Sequence, residues 1–194
     1  MASERRVAGP ESKNRGALLD AAESLMLDEG YAAVTSRRLA ERAGLKPQLV
    51  HYYFRTMDDL FLAAIRRRTE HGLAAQAQIL RAPNPLRALW SSLIDNRDSG
   101  LITEYAALGN HRKALRSEIA GAAQKLLEAQ DATIRTVLAR HGVEDLPAAV
   151  VTSLIVGTSQ LLSMHASLGL SGGRDDIIEY FDQQLRKFDD ADES

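Results

Sequence analysis

The sequence predicts an all-α protein, with a three-helix unit at the N-terminus and a longer helical domain behind it. Three observations carry this. Apolar residues recur three and four apart through most of the 194 residues, the period of helices with one buried face. No run alternates apolar and polar residues as a half-buried strand requires. Residues 35–54, TSRRLAERAGLKPQLVHYYF, read as two short helices around a glycine, the signature of a helix-turn-helix.

The elements follow in order. Residues 1–12 are polar, hold Arg5 and Arg6 and are broken by Gly9-Pro10, so they read as a disordered arm. The first helix spans 13–29, with Leu18, Ala21, Ala22, Leu25 and Met26 on its apolar face, and Gly30 ends it. The second runs from Thr35, which suits an N-cap, to Ala43; Arg38 stands where a capping box would need Glu or Gln. Gly44 lies where a helix stop calls for a left-handed residue. The third helix opens at Lys46-Pro47, a first-turn position that proline tolerates, and ends near Phe54. A fourth starts near Asp58 and runs to about Leu80. Ala82-Pro83-Asn84-Pro85 is the clearest break in the chain. Beyond it, helical spacing recurs over 86–98, 99–109, 112–140, 147–168 and 174–188, and residues 189–194 form an acidic tail. The domains read as the arm, a helix-turn-helix domain over 13–57 and a second domain over 58–190.

The second helix of such a motif is built to enter a major groove. Leu45, Val50 and Phe54 are expected to face the core, leaving Lys46, Gln48, Leu49, His51, Tyr52 and Tyr53 on the outer face. A cation, an amide and aromatic tips on one short helix suit phosphates, base edges and thymine methyls. With Thr35, Ser36 and Arg37 opening the second helix, Pro47, and Met57 ahead of the fourth, they form the candidate set for contacting double-stranded DNA.

The longer pattern sharpens this. Ala21-Ala22, Leu25, Gly30-Tyr31, Thr35, Leu39-Ala40, Ala43-Gly44, Val50, Phe54 and Leu60 stand at the spacing of a known signature. Through them, residues 18–60 resemble the N-terminal domain of the TetR family of bacterial transcriptional regulators. Lys46 replaces the usual Ser or Thr that opens the recognition helix, and Gln48 a small residue. His51 and Tyr53 stand where that family has Tyr and His. Met57 stands where it has a phosphate-contacting Lys, which removes that one cation, with Lys46 or Arg55 as candidates to compensate.

The resemblance implies a cytoplasmic, ligand-responsive regulator, most often a repressor. It would bind a palindromic operator as a homodimer and be released by a small-molecule effector, with no enzymatic activity and no cofactor. In such proteins the middle helices enclose the effector. The corresponding residues here are Trp90, Leu93, Ile102, Tyr105, Leu108 and His111, with Gln160 and Met164 from a later helix, and their character suggests a hydrophobic ligand. The alternative is a DNA-binding dimer without a small-molecule effector.

Composition bounds the rest. Apolar residues make up 45% of the chain, a globular share. Residues 1–70 hold 12 Lys and Arg against 10 Asp and Glu, and the remainder 12 against 16, which places the positive charge toward the end proposed to meet phosphate. The absence of cysteine excludes disulfides and thiolate metal sites. The five histidines are scattered without i, i+4 pairs, which points to no metal site. No signal-peptide core precedes the first helix, and the apolar window 148–156 is too short for a bilayer span. The 147–168 segment is apolar around much of its circumference and is followed closely by the amphipathic 174–188. Such helices must be covered, and the expected cover is the same pair from a second copy, as a four-helix bundle.

Overall fold

The computed structural model describes residues 13–95 and 99–189; the expected arm and residues 190–194 of the tail lie outside them. Among the described residues there is no strand. The helices are α1 (Lys13–Glu29), a 3-10 turn (Tyr31–Ala33), α2 (Ser36–Arg42), α3 (Pro47–Tyr53), α4 (Met57–Ile79), α5 (Pro85–Ile94), α6 (Ser99–His111), α7 (Lys113–Arg140), α8 (Ala148–Ser167) and α9 (Arg174–Arg186). α4 starts one residue earlier than expected. The reason is a capping box: Thr56 Oγ1 accepts from Asp59 N–H at 3.1 Å, and Asp59 Oδ2 accepts from Thr56 N–H at 3.0 Å.

The chain forms two compact units, one holding residues up to 68 with 101–121, the other 69–100 with 122 onward. This differs from a boundary at 57/58, because the division falls inside α4 and α6 joins the N-terminal helices. The physical reason is burial. Leu101, Tyr105 and Leu108 of α6 and Leu115 of α7 are buried, as are Leu18, Leu25 and Met26 of α1 and Leu60 and Phe61 of α4. Each fully buried side chain of this size contributes about 1.5–3 kcal/mol relative to exposure.

Two glycines shape the corners of the first unit. Gly30 closes α1 with φ 84° and ψ 159°, a conformation that is essentially glycine's alone. Gly44 closes α2 with φ 65°. There Leu45 N–H donates to Ala40 carbonyl at 2.8 Å and Gly44 N–H to Glu41 carbonyl at 3.2 Å, the paired bonds of a Schellman stop.

Ion pairs tie this unit's helices. Arg67 of α4 reaches Asp20 at 2.7 Å and Glu23 at 3.2 Å, both on α1. The Tyr105 hydroxyl is buried and has no hydrogen-bond partner. Burial, with the Glu23 carboxylate adding to it, pushes its phenol well above the usual range. Tyr105→Phe should therefore leave stability unchanged or raise it by roughly 1 kcal/mol in urea unfolding, since it removes an unsatisfied donor. A loss of stability would instead mean that the hydroxyl is satisfied by a bound water.

The second unit packs around Leu86, Leu89 and Trp90 of α5, Ile134, Val137 and Leu138 of α7, Ile155 and Leu162 of α8 and Leu185 of α9. The 20-residue α8 is long and apolar enough to cross a bilayer by length and composition, which the 148–156 window alone did not convey. Its Thr152, Ile155, Val156, Ser159 and Leu162 are nevertheless buried in protein. Thr152 and Ser159 donate to the carbonyls of Ala148 and Val156 at 2.9 and 2.8 Å. On the remaining surface of α8, Val150, Leu154, Leu161 and Met164 are exposed, Leu154 by 57%, and Leu168 follows at 67%.

Candidate nucleic-acid interface

The candidate residues lie on α2, α3 and the first position of α4. Thr35 is the N-cap of α2, its Oγ1 accepting from Arg38 N–H at 3.4 Å, a long bond. Ser36 is half-buried and Arg37 exposed. α3 starts with Pro47 at its first position, with Lys46 as the extended residue before it. Val50 and Phe54 are buried as expected, while Leu45 is only half-buried. Lys46, Pro47, Gln48, His51 and Tyr52 are exposed, whereas Leu49 and Tyr53 are half-buried. Tyr52 and Tyr53 meet edge to face at 5.1 Å between centroids. Met57 is half-buried at the start of α4.

The arginines of α2 divide into two kinds. Arg38 pairs with Glu29 at the end of α1. Arg42 reaches Asp28 at 2.7 Å and the Ser24 hydroxyl at 2.5 Å. The Arg38 guanidinium holds the Glu29 carboxyl below its usual range. These two cations therefore fasten α2 to α1. The side chains of Arg37, Lys46 and Arg55 are exposed and have no ion-pair partner among the described residues. Arg55 lies in the turn between α3 and α4 and stands outside the main sequence-derived set; its signal was a cation two residues before Met57. Arg15 of α1 adds a contact that sequence reasoning missed, with its guanidinium 5.3 Å from the Phe54 ring centroid.

The eight candidate effector residues are divided between the two units. In the first, Tyr105 and Leu108 are buried, Ile102 is exposed, and His111 is exposed and stacked on Tyr31 at 5.9 Å. In the second, Trp90 is fully buried against Phe181, its centroid 4.4 Å from the Phe181 ring. Leu93 packs half-buried on the same core, and Gln160 and Met164 are exposed on α8. A cleft lined by Pro83, Asn84, Val137, His141 and Phe188 among others has room for roughly one water and involves none of the eight.

Residues 18–64 match the family described as bacterial regulatory proteins, tetR family. Over those residues the chain carries the pattern of that family's N-terminal domain. It is similar to the HTH-type transcriptional regulator BetI of Rhizobium meliloti (strain 1021), 43% identical over 58 residues, which are 30% of this chain and 29% of that protein. The match thus spans less than a third of that relative. A weaker alignment, to the BetI of Agrobacterium fabrum, is 28% identical and covers 94% of this chain and 93% of that one. Among solved structures, a TetR-family transcriptional regulator from Rhodococcus sp. superposes with a TM-score of 0.71 at 19% identity, over 91% of this chain and 96% of that one. At that identity the likeness speaks for the fold, and it extends the TetR-family architecture well beyond residues 18–64.

Proposed function

We propose that this protein is a TetR-family DNA-binding transcriptional regulator, acting as a repressor in the cytoplasm. It reads a palindromic operator as a homodimer and is released by a small hydrophobic effector. The observation that carries the reading is the division of cations around the helix-turn-helix. Arg38 and Arg42 are committed to α1, while Lys46, Gln48 and His51 are exposed, without side-chain partners among the described residues. A helix with such a face can place an amide and a cation against base edges and phosphates.

The dimer is supported by the exposed apolar residues at positions 150, 154, 161 and 164 of α8 and at 168 just after it, which recur at helical spacing. An apolar stripe of this kind calls for cover, and residues 147–168 and 174–188 of a second copy supply matching chemistry. Two recognition helices in a twofold dimer would read half-sites one helical turn apart. The burial of Tyr105 and Leu108 favours a second reading, a DNA-binding dimer without a small-molecule effector, because side chains already in the core are poor pocket linings.

The test is fluorescence anisotropy on duplexes selected from a random pool, with sedimentation to fix the oligomer. A dimer that enriches a palindrome and prefers it over random DNA supports the proposal; equal weak binding to all duplexes removes it. Within that assay, Gln48→Ala should relax preference at one or two base pairs and cost about 1–3 kcal/mol on the selected site. Unchanged preference would take Gln48 off the reading face. Release of the duplex by hydrophobic small molecules separates the first reading from the second.

A further inference from the structure

We propose that Glu104 is a positioning residue of the DNA-binding unit, its carboxylate holding the corner between α1 and α2 and so setting where α2 and α3 are presented. The inference rests on the DNA-binding reading above and adds a residue 73 positions away from the contact it makes. α1 ends at Gly30, and Tyr31 opens the 3-10 turn that leads to the N-cap of α2. A backbone N–H at such a start has no partner within its own turn. Glu104 Oε2 of α6 accepts it at 2.7 Å, a bond strengthened by the carboxylate charge.

Gly30 shows how close the approach is. A Cβ placed there would lie 3.4 Å from Glu104 Oε2, already at contact, so the carboxylate sits directly on the corner. The same stripe of α6 makes a second hold two turns on. His111, seven residues after Glu104 and hence nearly eclipsed with it on a helix, stacks on the Tyr31 ring with an interplanar angle of 25°. Arg112, the next residue, pairs with Asp58 at the start of α4 and lies 5.3 Å from the Phe61 ring centroid. α6 and the residue that follows it therefore grip both ends of the helix-turn-helix segment: the corner before α2 and the helix after α3. Between them, two backbone bonds close the Gly44 turn onto the end of α2 and α2 packs directly on α3, so a shift of the corner carries the pair.

The experiment uses the full-length chain with Glu104→Ala and Glu104→Gln. Binding is measured on the duplex that the wild type selects and on a random duplex, and amide exchange is followed at Tyr31 and through α2 and α3. Glu104→Ala should weaken selected-site binding about tenfold while leaving random-duplex binding within about twofold, with faster exchange at Tyr31. Glu104→Gln should recover most of the loss, because its amide oxygen can accept the same N–H. A generally destabilised protein would instead lose both duplexes alike, and that outcome, or unchanged affinity with unchanged exchange, overturns the proposal. If the wild type selects no duplex, the DNA-binding reading fails by itself. Exchange then decides the latch: faster at Tyr31 and through α2 and α3 supports it, unchanged sinks it.

Discussion

Replacing Arg37, Lys46 and Arg55 together by alanine should weaken binding to every duplex and make its salt dependence shallower by about 2.7 in the slope of log K against log salt. The magnitude follows from counterion release, roughly 0.9 per neutralised phosphate for three contacts on duplex DNA. The choice of residues follows from the structure: these side chains are exposed and carry no ion pair among the described residues. Arg38 and Arg42 lie in the same motif, but their guanidinium groups are held by Glu29 and Asp28. Alanine at Arg38 or Arg42 should leave the salt slope nearly unchanged and cost little stability, as exposed pairs do. The pair with Glu29 also has a pH sense. Because the folded carboxyl is held below its ordinary value by the Arg38 hydrogen bond, its contribution is complete above the unfolded pKa. It is lost as pH falls through the lowered one. Anisotropy titrations at four or five salt concentrations decide the matter. A triple variant with the wild-type slope would mean that these cations do not meet phosphate.

The helices were legible because their period is written locally. α1, α2 and α3 begin and end within a residue or so of where periodicity, Thr35, Gly44 and Pro47 place them. The Thr56–Asp59 capping box is equally local, three residues apart in the sequence. What sequence spacing could not convey is partnership across distance. Arg42 lies 14 residues from Asp28 and Glu104 lies 73 from Tyr31, and nothing in the intervening residues announces either contact. For the same reason α6, with α5 just before it in sequence, gave no sign of packing with the N-terminal helices. Leu49 and Tyr53 read as outward from a helical wheel, yet both are half-buried. On a seven-residue helix the boundary between faces is set by its neighbours. The effector residues were the least legible, because an apolar pocket lining and an apolar core share one pattern. Tyr105 and Leu108 are in the core, and Trp90 is in another.

Trp90→Ala should cost about 3–5 kcal/mol, the largest single-residue loss in the second unit. The indole is fully buried and stacked on Phe181 at 4.4 Å with an interplanar angle of 18°, so truncation removes a large contact area and leaves a cavity between α5 and α9. Trp90→Phe should behave very differently. It keeps an aromatic face for Phe181, and it removes an indole N–H that has no acceptor. An unsatisfied buried donor costs roughly 1–3 kcal/mol, which offsets much of the smaller ring's lost burial, so the net change should stay within about 1.5 kcal/mol. Urea unfolding followed by far-UV circular dichroism measures both, and the wild type offers a second probe because Trp90 is its only tryptophan. Equal losses for Ala and Phe would mean that the indole nitrogen is satisfied in solution, by water or by a ligand occupying the site. A loss below about 1 kcal/mol for Ala would mean that the α5–α9 contact closes over the gap. The contrast between the two variants therefore tests whether the orphaned indole N–H is a feature of the free protein or the mark of an occupant.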